Sequence, residues 1–186
     1  MPVLPIRQYG DPVLRETAQP IATIDDTLRQ LAADMGETMY AANGIGLAAN
    51  QIGQLIRIVV IDVDEEYTRK VDGKRQRPKA PHLEVFLNPE IVSSSDDDGT
   101  YSEGCLSIPG LEGNVYRPNA LRLRWMDLEG ATHEADVDGL RARVLQHEID
   151  HLNGVLFIDR MEPAARRALA GQLAALRAKT APNATS

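Results

Sequence analysis

Gln146-His147-Glu148-Ile149-Asp150-His151-Leu152-Asn153-Gly154 carries both the strongest helix signal and the chemistry of this 186-residue chain. It closes an apolar period, Leu140, Val144, Leu145 and Leu152, that predicts a helix over about 139–152, with Gly154 suited to end it. Residues four apart on a helix lie about 40° apart around its axis, so His147 and His151 can converge on one ion, while Glu148 sits about 100° round from His147. Both histidines fall beside the apolar stripe, and burying two imidazoles and a carboxylate without a metal would be costly. A catalytic metal site takes three protein ligands and keeps one position for water, so a third donor must come from elsewhere. The single cysteine, Cys105, is the obvious donor. Its neighbours Glu103, Gly104, Leu106, Ser107 and Pro109 predict a constrained loop in preference to a strand interior.

Upstream of this helix, 83–87, 99–102, 120–126 and 131–137 read as strands, broken by the acidic turn at 93–99 and by Pro109, Gly110, Gly113 and Pro118. LIRIVVIDV at 55–63 reads as a buried strand. Before it, Leu28, Leu31, Ala32, Met35 and Met39 recur at a helical period over 24–42, with Thr23 and Asp26 placed as a capping box. The polar stretch 64–82, with an Asp72-Gly73 turn signal, predicts an exposed hairpin or loop. A last helix is expected over 163–179, opening on proline, with a frayed tail at 180–186. Runs of strands with helices at intervals indicate an α+β fold: antiparallel or mixed sheets around a central metal-binding helix, with an N-terminal and a C-terminal helix. The length suits one domain over 1–186.

Aromatics make up only 4% of the chain, so the core must be built from aliphatic side chains. The net charge of −7 argues against a duplex DNA binder, which needs a positive face. No apolar run reaches membrane-spanning or signal-peptide length, and a lone thiol suits a reducing compartment, so a cytoplasmic protein is expected.

GIGLAANQIG at 44–53 superficially satisfies a dinucleotide fingerprint, but that motif needs a strand before it and a helix after it, and here the order is reversed. The remaining use of these glycines, Gly46 among them, is close backbone approach to a ligand, with Gln51 offering an amide donor. Together with EGCLSIPG at 103–110 and QHEIDHLNG at 146–154, this segment resembles the three signature motifs of the peptide deformylases, in the same order; GDPVLRETA at 10–18 joins the resemblance. The resemblance implies an α+β metalloenzyme, often holding ferrous iron, that removes the formyl group from N-terminal formylmethionine of nascent peptides. It assigns metal binding to Cys105, His147 and His151, catalysis to Glu148, and oxyanion stabilisation to Gln51 and the Leu106 N–H. Cysteine and histidine accept Fe2+, Zn2+, Ni2+ or Co2+ alike. By the same resemblance and by helical spacing, Ile45, Tyr101, Leu140, Arg143 and Val144 are candidates for the methionine pocket, with the Arg143 guanidinium expected to reach solvent. Arg117 is expected to pair with Glu103 or Asp150 and orient the ligands. Glu112 stands where the family often carries an arginine near the substrate backbone.

Two rival readings remain at this level. A zinc endopeptidase sharing the His-Glu-x-x-His pattern would take its third ligand downstream, where only Asp159 and Glu162 could serve, and a structural zinc would need His82 or His133 as a fourth ligand. Charge is also segregated. Residues 163–186 hold Arg166, Arg167, Arg177 and Lys179 and no acid, so this segment carries +4 and residues 1–162 carry −11 of the net −7. Such a segment can meet an acidic partner, the ribosome surface being the natural candidate, while Leu169, Leu173 and Leu176 equally suit a helix docked on the core.

Overall fold

Ile58-Val59-Val60-Ile61 is buried along its whole length, because helices cover both faces of the sheet it belongs to. In the computed structural model, which describes residues 2–64, 68, 70–71, 74–75 and 81–180, the elements run α1 (Asp26–Ala41), β1 (Gly46–Ala48), β2 (Ile58–Ile61), β3 (Lys70–Val71), β4 (Lys74–Arg75), β5 (Glu84–Ser94), β6 (Asp98–Cys105), β7 (Ile108–Pro118), β8 (Ala120–Met126), β9 (Thr132–Asp138), α2 (Gly139–Leu152), α3 (Pro163–Ala168) and α4 (Ala170–Thr180). Strands β1-β2-β5-β8-β9 form one sheet in that order, antiparallel throughout. Alternation along β2 splits the core in two. Val59 and Ile61, with Phe86, Leu121 and Leu123, pack on Leu145, Ile149 and Leu152 of α2. Ile58 and Val60, with Leu47 and Leu87, pack on Leu28, Met35 and Met39 of α1.

A separate antiparallel ribbon, β6-β7, presents Cys105 to α2. The sequence reading missed β7 and took Pro109, Gly110, Gly113 and Pro118 as breaks. In a two-stranded ribbon each strand has an unpaired edge, and the prolines fall second and last in β7, where a missing N–H is tolerated. Ile108, Leu111 and Val115 of β7 build a third cluster with Phe157, Ile158, Met161 and Leu173.

Helix α2 spans the expected residues and ends at Gly154, whose φ of +72° favours glycine; an added Cβ there would also lie 2.8 Å from the Arg15 carbonyl carbon. Three further expectations need correction. The cap of α1 is Asp25, which accepts from Leu28 N at 2.8 Å, so the Thr23–Asp26 capping box does not form. The strand expected over 55–63 is confined to β2, since the chain enters it from an irregular segment. The C-terminal helix breaks at Leu169 into α3 and α4, with Leu173 of α4 buried in the third cluster. The 64–82 stretch contains the β3-β4 hairpin, while its Asp72-Gly73 turn lies outside the described residues, as does the tail at 181–186.

Candidate active site

Cys105 is the last residue of β6, where the chain reverses through 106–107 into β7. Its Sγ lies 3.3 Å from His151 Nε2 and accepts a hydrogen bond from Ser107 N at 3.4 Å. The ligand atoms of Cys105, His147 and His151 all lie within 4.8 Å of one another; among the described residues no other such trio of side chains converges. His133 is paired instead with Asp127. Asp159, the downstream acid an endopeptidase would recruit, is held by Arg15, Arg166 and the Leu156 N–H.

The donor set fits a divalent ion. A thiol sulfur and two imidazoles form a mixed soft and borderline set suited to Fe, Co, Ni or Zn. His147 donates from Nδ1 to Glu103 Oε2 at 3.0 Å, which leaves Nε2 for the site and sets the ring's orientation. Glu148, next along the helix, is buried, and among the described residues its Oε2 has no hydrogen-bond partner, which makes it a candidate for chemistry. Burial pushes its carboxyl up to about 7, against the opposing charge of His147. Burial opposes charge on both imidazoles as well. His147 nevertheless rises well above its usual value because Cys105 and Glu103 accept from it, whereas His151 falls well below, burial being reinforced by His147.

Behind the ligands sits a dry ion network. Arg117 reaches Glu103 through Nε at 2.7 Å and Nη2 at 3.0 Å, and Asp150 through Nη1 at 2.8 Å. Both partners expected for Arg117 are therefore engaged at once. Burial pushes Glu103 up, but His147 and Arg117 outweigh it and hold the carboxyl down at about 2. The Arg143 guanidinium does not reach solvent, contrary to expectation. It donates to Glu103 Oε1 at 2.9 Å, Val115 O at 3.3 Å and Gly99 O at 2.8 Å, because a buried carboxylate and two carbonyls offer acceptors to both of its terminal nitrogens. Arg160 adds two bonds to Asp150, at 2.7 and 3.1 Å. Sequence reasoning missed Arg160, since no local spacing links it to Asp150.

A cavity of about 1000 Å3 opens beside the ligands, lined by Ile45, Gly46, Gln51, Leu106, Leu140, Arg143 and Val144, among others, with His147 and Glu148 at its inner wall. Gly46 is needed here for space. A Cβ would run into the Glu148 carboxylate and lie 2.8 Å from Val144 Cγ1. Gln51 is oriented by accepting from Ala48 N at 2.9 Å, which turns its amide nitrogen toward Ser107 Oγ at 3.2 Å and Cys105 Sγ at 3.5 Å. Ser107 is a second residue missed from sequence, although it lies two positions after the cysteine. Leu106 lines the cavity, its carbonyl accepting from Gln8 Nε2 at 3.3 Å. Tyr101 is not among the lining residues; its exposed ring covers the Arg143 guanidinium, 4.3 Å from centroid to Cζ.

Comparison with known proteins shows the family of the chain. The family model described as polypeptide deformylase matches residues 3–167. A peptide deformylase of Brucella suis is 49% identical over 166 residues, 89% of each chain. One of Mesorhizobium japonicum is 46% identical, covering 89% of this chain and 88% of the other. Among solved structures, a plant peptide deformylase superposes with a TM-score of 0.85 at 35% identity, over 95% of this chain and 90% of that one. A Synechococcus elongatus peptide deformylase in complex with actinonin gives 0.80 at 42% identity, over 92% and 89%.

Proposed function

The chain belongs to the polypeptide deformylase family and is a metal-dependent hydrolase that removes the N-formyl group from formylmethionine at the start of newly synthesised polypeptides; we propose that Cys105, His147 and His151 hold its metal and that Glu148 moves the proton. The single observation that carries these roles is the buried Glu148 carboxylate, whose Oε2 has no hydrogen-bond partner among the described residues, beside the converged Cys-His-His set. A divalent ion bound there supplies a Lewis acid that makes water nucleophilic near neutral pH.

The residues do the rest. Glu148, buried beside the ligand set, takes a proton from the attacking water and returns it to the departing amine, because an amide nitrogen leaves poorly unless protonated. The Gln51 amide and the Leu106 N–H stabilise the charge that develops on the formyl oxygen, each donor accounting for about 10²- to 10³-fold in rate. Gly46, Ile45, Leu140 and Val144 receive the methionine side chain, and the stem of Arg143 closes the wall behind it. Glu103, Arg117 and Asp150 orient the ligating imidazole.

We propose ferrous iron as the ion in the cell on the family resemblance alone, with Zn2+, Ni2+ and Co2+ able to take the same donors. No helix among the described residues is long and apolar enough to cross a membrane. A cytoplasmic location is proposed because the one cysteine must stay reduced to bind metal. Ribosome docking through the basic C-terminal segment is proposed on its charge alone. Arg166 is already paired with Asp159 and Arg177 lies over the Tyr9 ring, which leaves Arg167 and Lys179 as the best-placed cations.

Metal-loaded protein is expected to release formate from formyl-Met-Ala-Ser and to leave the acetyl analogue intact. Equal turnover of both, or endoproteolysis without formate, would overturn the deformylase reading. Glu148→Ala should retain metal and lose about 10²- to 10⁴-fold in kcat; near-normal kcat at full metal content would remove Glu148 from the mechanism.

A further inference from the structure

Apart from His147 of the ligand set, four charged side chains line the cavity: Glu103, Glu112, Arg143 and Glu148. Three are committed. Glu103 and Arg143 are bonded to each other, Arg143 is also tied to two carbonyls, and Glu148 faces the ligand set. Glu112 differs from them. It is exposed, and among the described residues its polar partner is a hydroxyl, Ser102 Oγ at 3.4 Å from Oε2, with no cation within ion-pair distance.

Its position is set by the ribbon. Glu112 on β7 stands directly opposite Gly104 on β6, the residue before Cys105, and because Gly104 has no side chain the Glu112 stem lies across it; a Cβ on Gly104 would be 3.4 Å from Glu112 Cγ. Gly110, also on the cavity wall, opens onto free space. A carboxylate thus stands on the cavity wall between two glycines of the ribbon, across the strand pair from the residue before Cys105. An extended peptide advances about 3.3 Å per residue, so the residues after formylmethionine come abreast of it.

We propose that Glu112 makes this enzyme favour formyl-Met peptides with a cationic side chain at one of the two residues after the methionine. The inference rests on the deformylase reading. Arg143 cannot cancel the field, being pinned to Glu103, and the net charge of −7 adds to it.

The test compares kcat/KM of metal-loaded enzyme for formyl-Met-Ala-Ser, formyl-Met-Lys-Ser, formyl-Met-Ala-Lys and the two glutamate counterparts. The lysine-to-glutamate ratio at the responsive position should be about fivefold at low salt, as suits an exposed pair, and shrink at roughly 0.5 M salt. Glu112→Gln should bring that ratio close to one and Glu112→Arg should invert it. Reading a ratio within each variant cancels any loss of folding or metal. A wild-type ratio of one at both positions, or a ratio unchanged in Glu112→Gln, overturns the proposal while leaving deformylation standing. If the wild type releases no formate from formyl-Met-Ala-Ser, the deformylase reading falls and this inference with it.

Discussion

Two arginines, five residues apart in sequence, perform the same act in opposite surroundings. Arg117 bridges Glu103 and Asp150 at 2.7 and 2.8 Å, and Arg122 bridges Glu134 and Asp136 at 2.9 and 3.0 Å. Distance does not distinguish them. Exposure does: the side chains of the first trio are 4, 6 and 9% exposed, those of the second 43, 33 and 77%. Water screens the second set and hydrates any member left alone, so each pairing there contributes little. The first set has given up its water, and each member depends on the others for compensation. The buried set also ends on His147, so its strength passes into ligand orientation, whereas the exposed set ends in solvent.

The largest effect should come from opening the buried network. Arg117→Ala removes three buried charge-assisted hydrogen bonds, leaving Glu103 to Arg143 and His147 and Asp150 to Arg160, and should cost about 2–3 kcal/mol in urea unfolding. It should also weaken metal affinity about 10- to 100-fold, measured by chelator competition. A variant as stable as Arg122→Ala would abolish the contrast between the two regions.

An intermediate and pH-dependent effect is expected at Glu103. Its carboxyl is about 2 in the folded protein against an ordinary 4.5, so its contribution is complete above 4.5 and is lost as pH falls through that window toward 2. Glu103→Gln should therefore be less stable than the wild type at pH 6, and the gap should narrow steadily as unfolding is repeated down to pH 3. A gap that stays constant with pH would mean that the charge of Glu103 contributes nothing.

The smallest effect belongs to the exposed face. Arg122→Ala should leave the urea midpoint within measurement error, with any residual difference vanishing in high salt. A clear loss that survives salt would show packing by the arginine stem rather than ion pairing.

The elements differed in how far they could be read from sequence, for identifiable reasons. Helix α2 was legible to its last residue because periodicity, motif and terminal glycine all report on the same few turns. Strand β7 was not, since its glycines and prolines carry a local turn signal that pairing with β6 overrides. The break at Leu169 was equally hidden: helical spacing runs through it, and the departure comes from how α3 and α4 meet the rest of the chain. At the site, Arg143 was expected to send its charge outward, and only the position of Glu103 on the neighbouring ribbon shows why it turns inward.

By itself the sequence determined the candidate reactive set: two imidazoles at helical spacing, the carboxylate between them, the single thiol, and the glycine-rich segment bearing Gln51. These follow from chain geometry over one or two helical turns, or from residue types that have few substitutes in such chemistry. Tertiary structure alone decided which charges meet. Glu103 finds Arg117, Arg143 and His147 at separations of 14, 40 and 44 residues, where no local rule reaches. The physical reason is desolvation. Which groups lose their water depends on how the β6-β7 ribbon packs against α2, and only that packing separates an arginine buried behind the candidate metal site from one that decorates a surface.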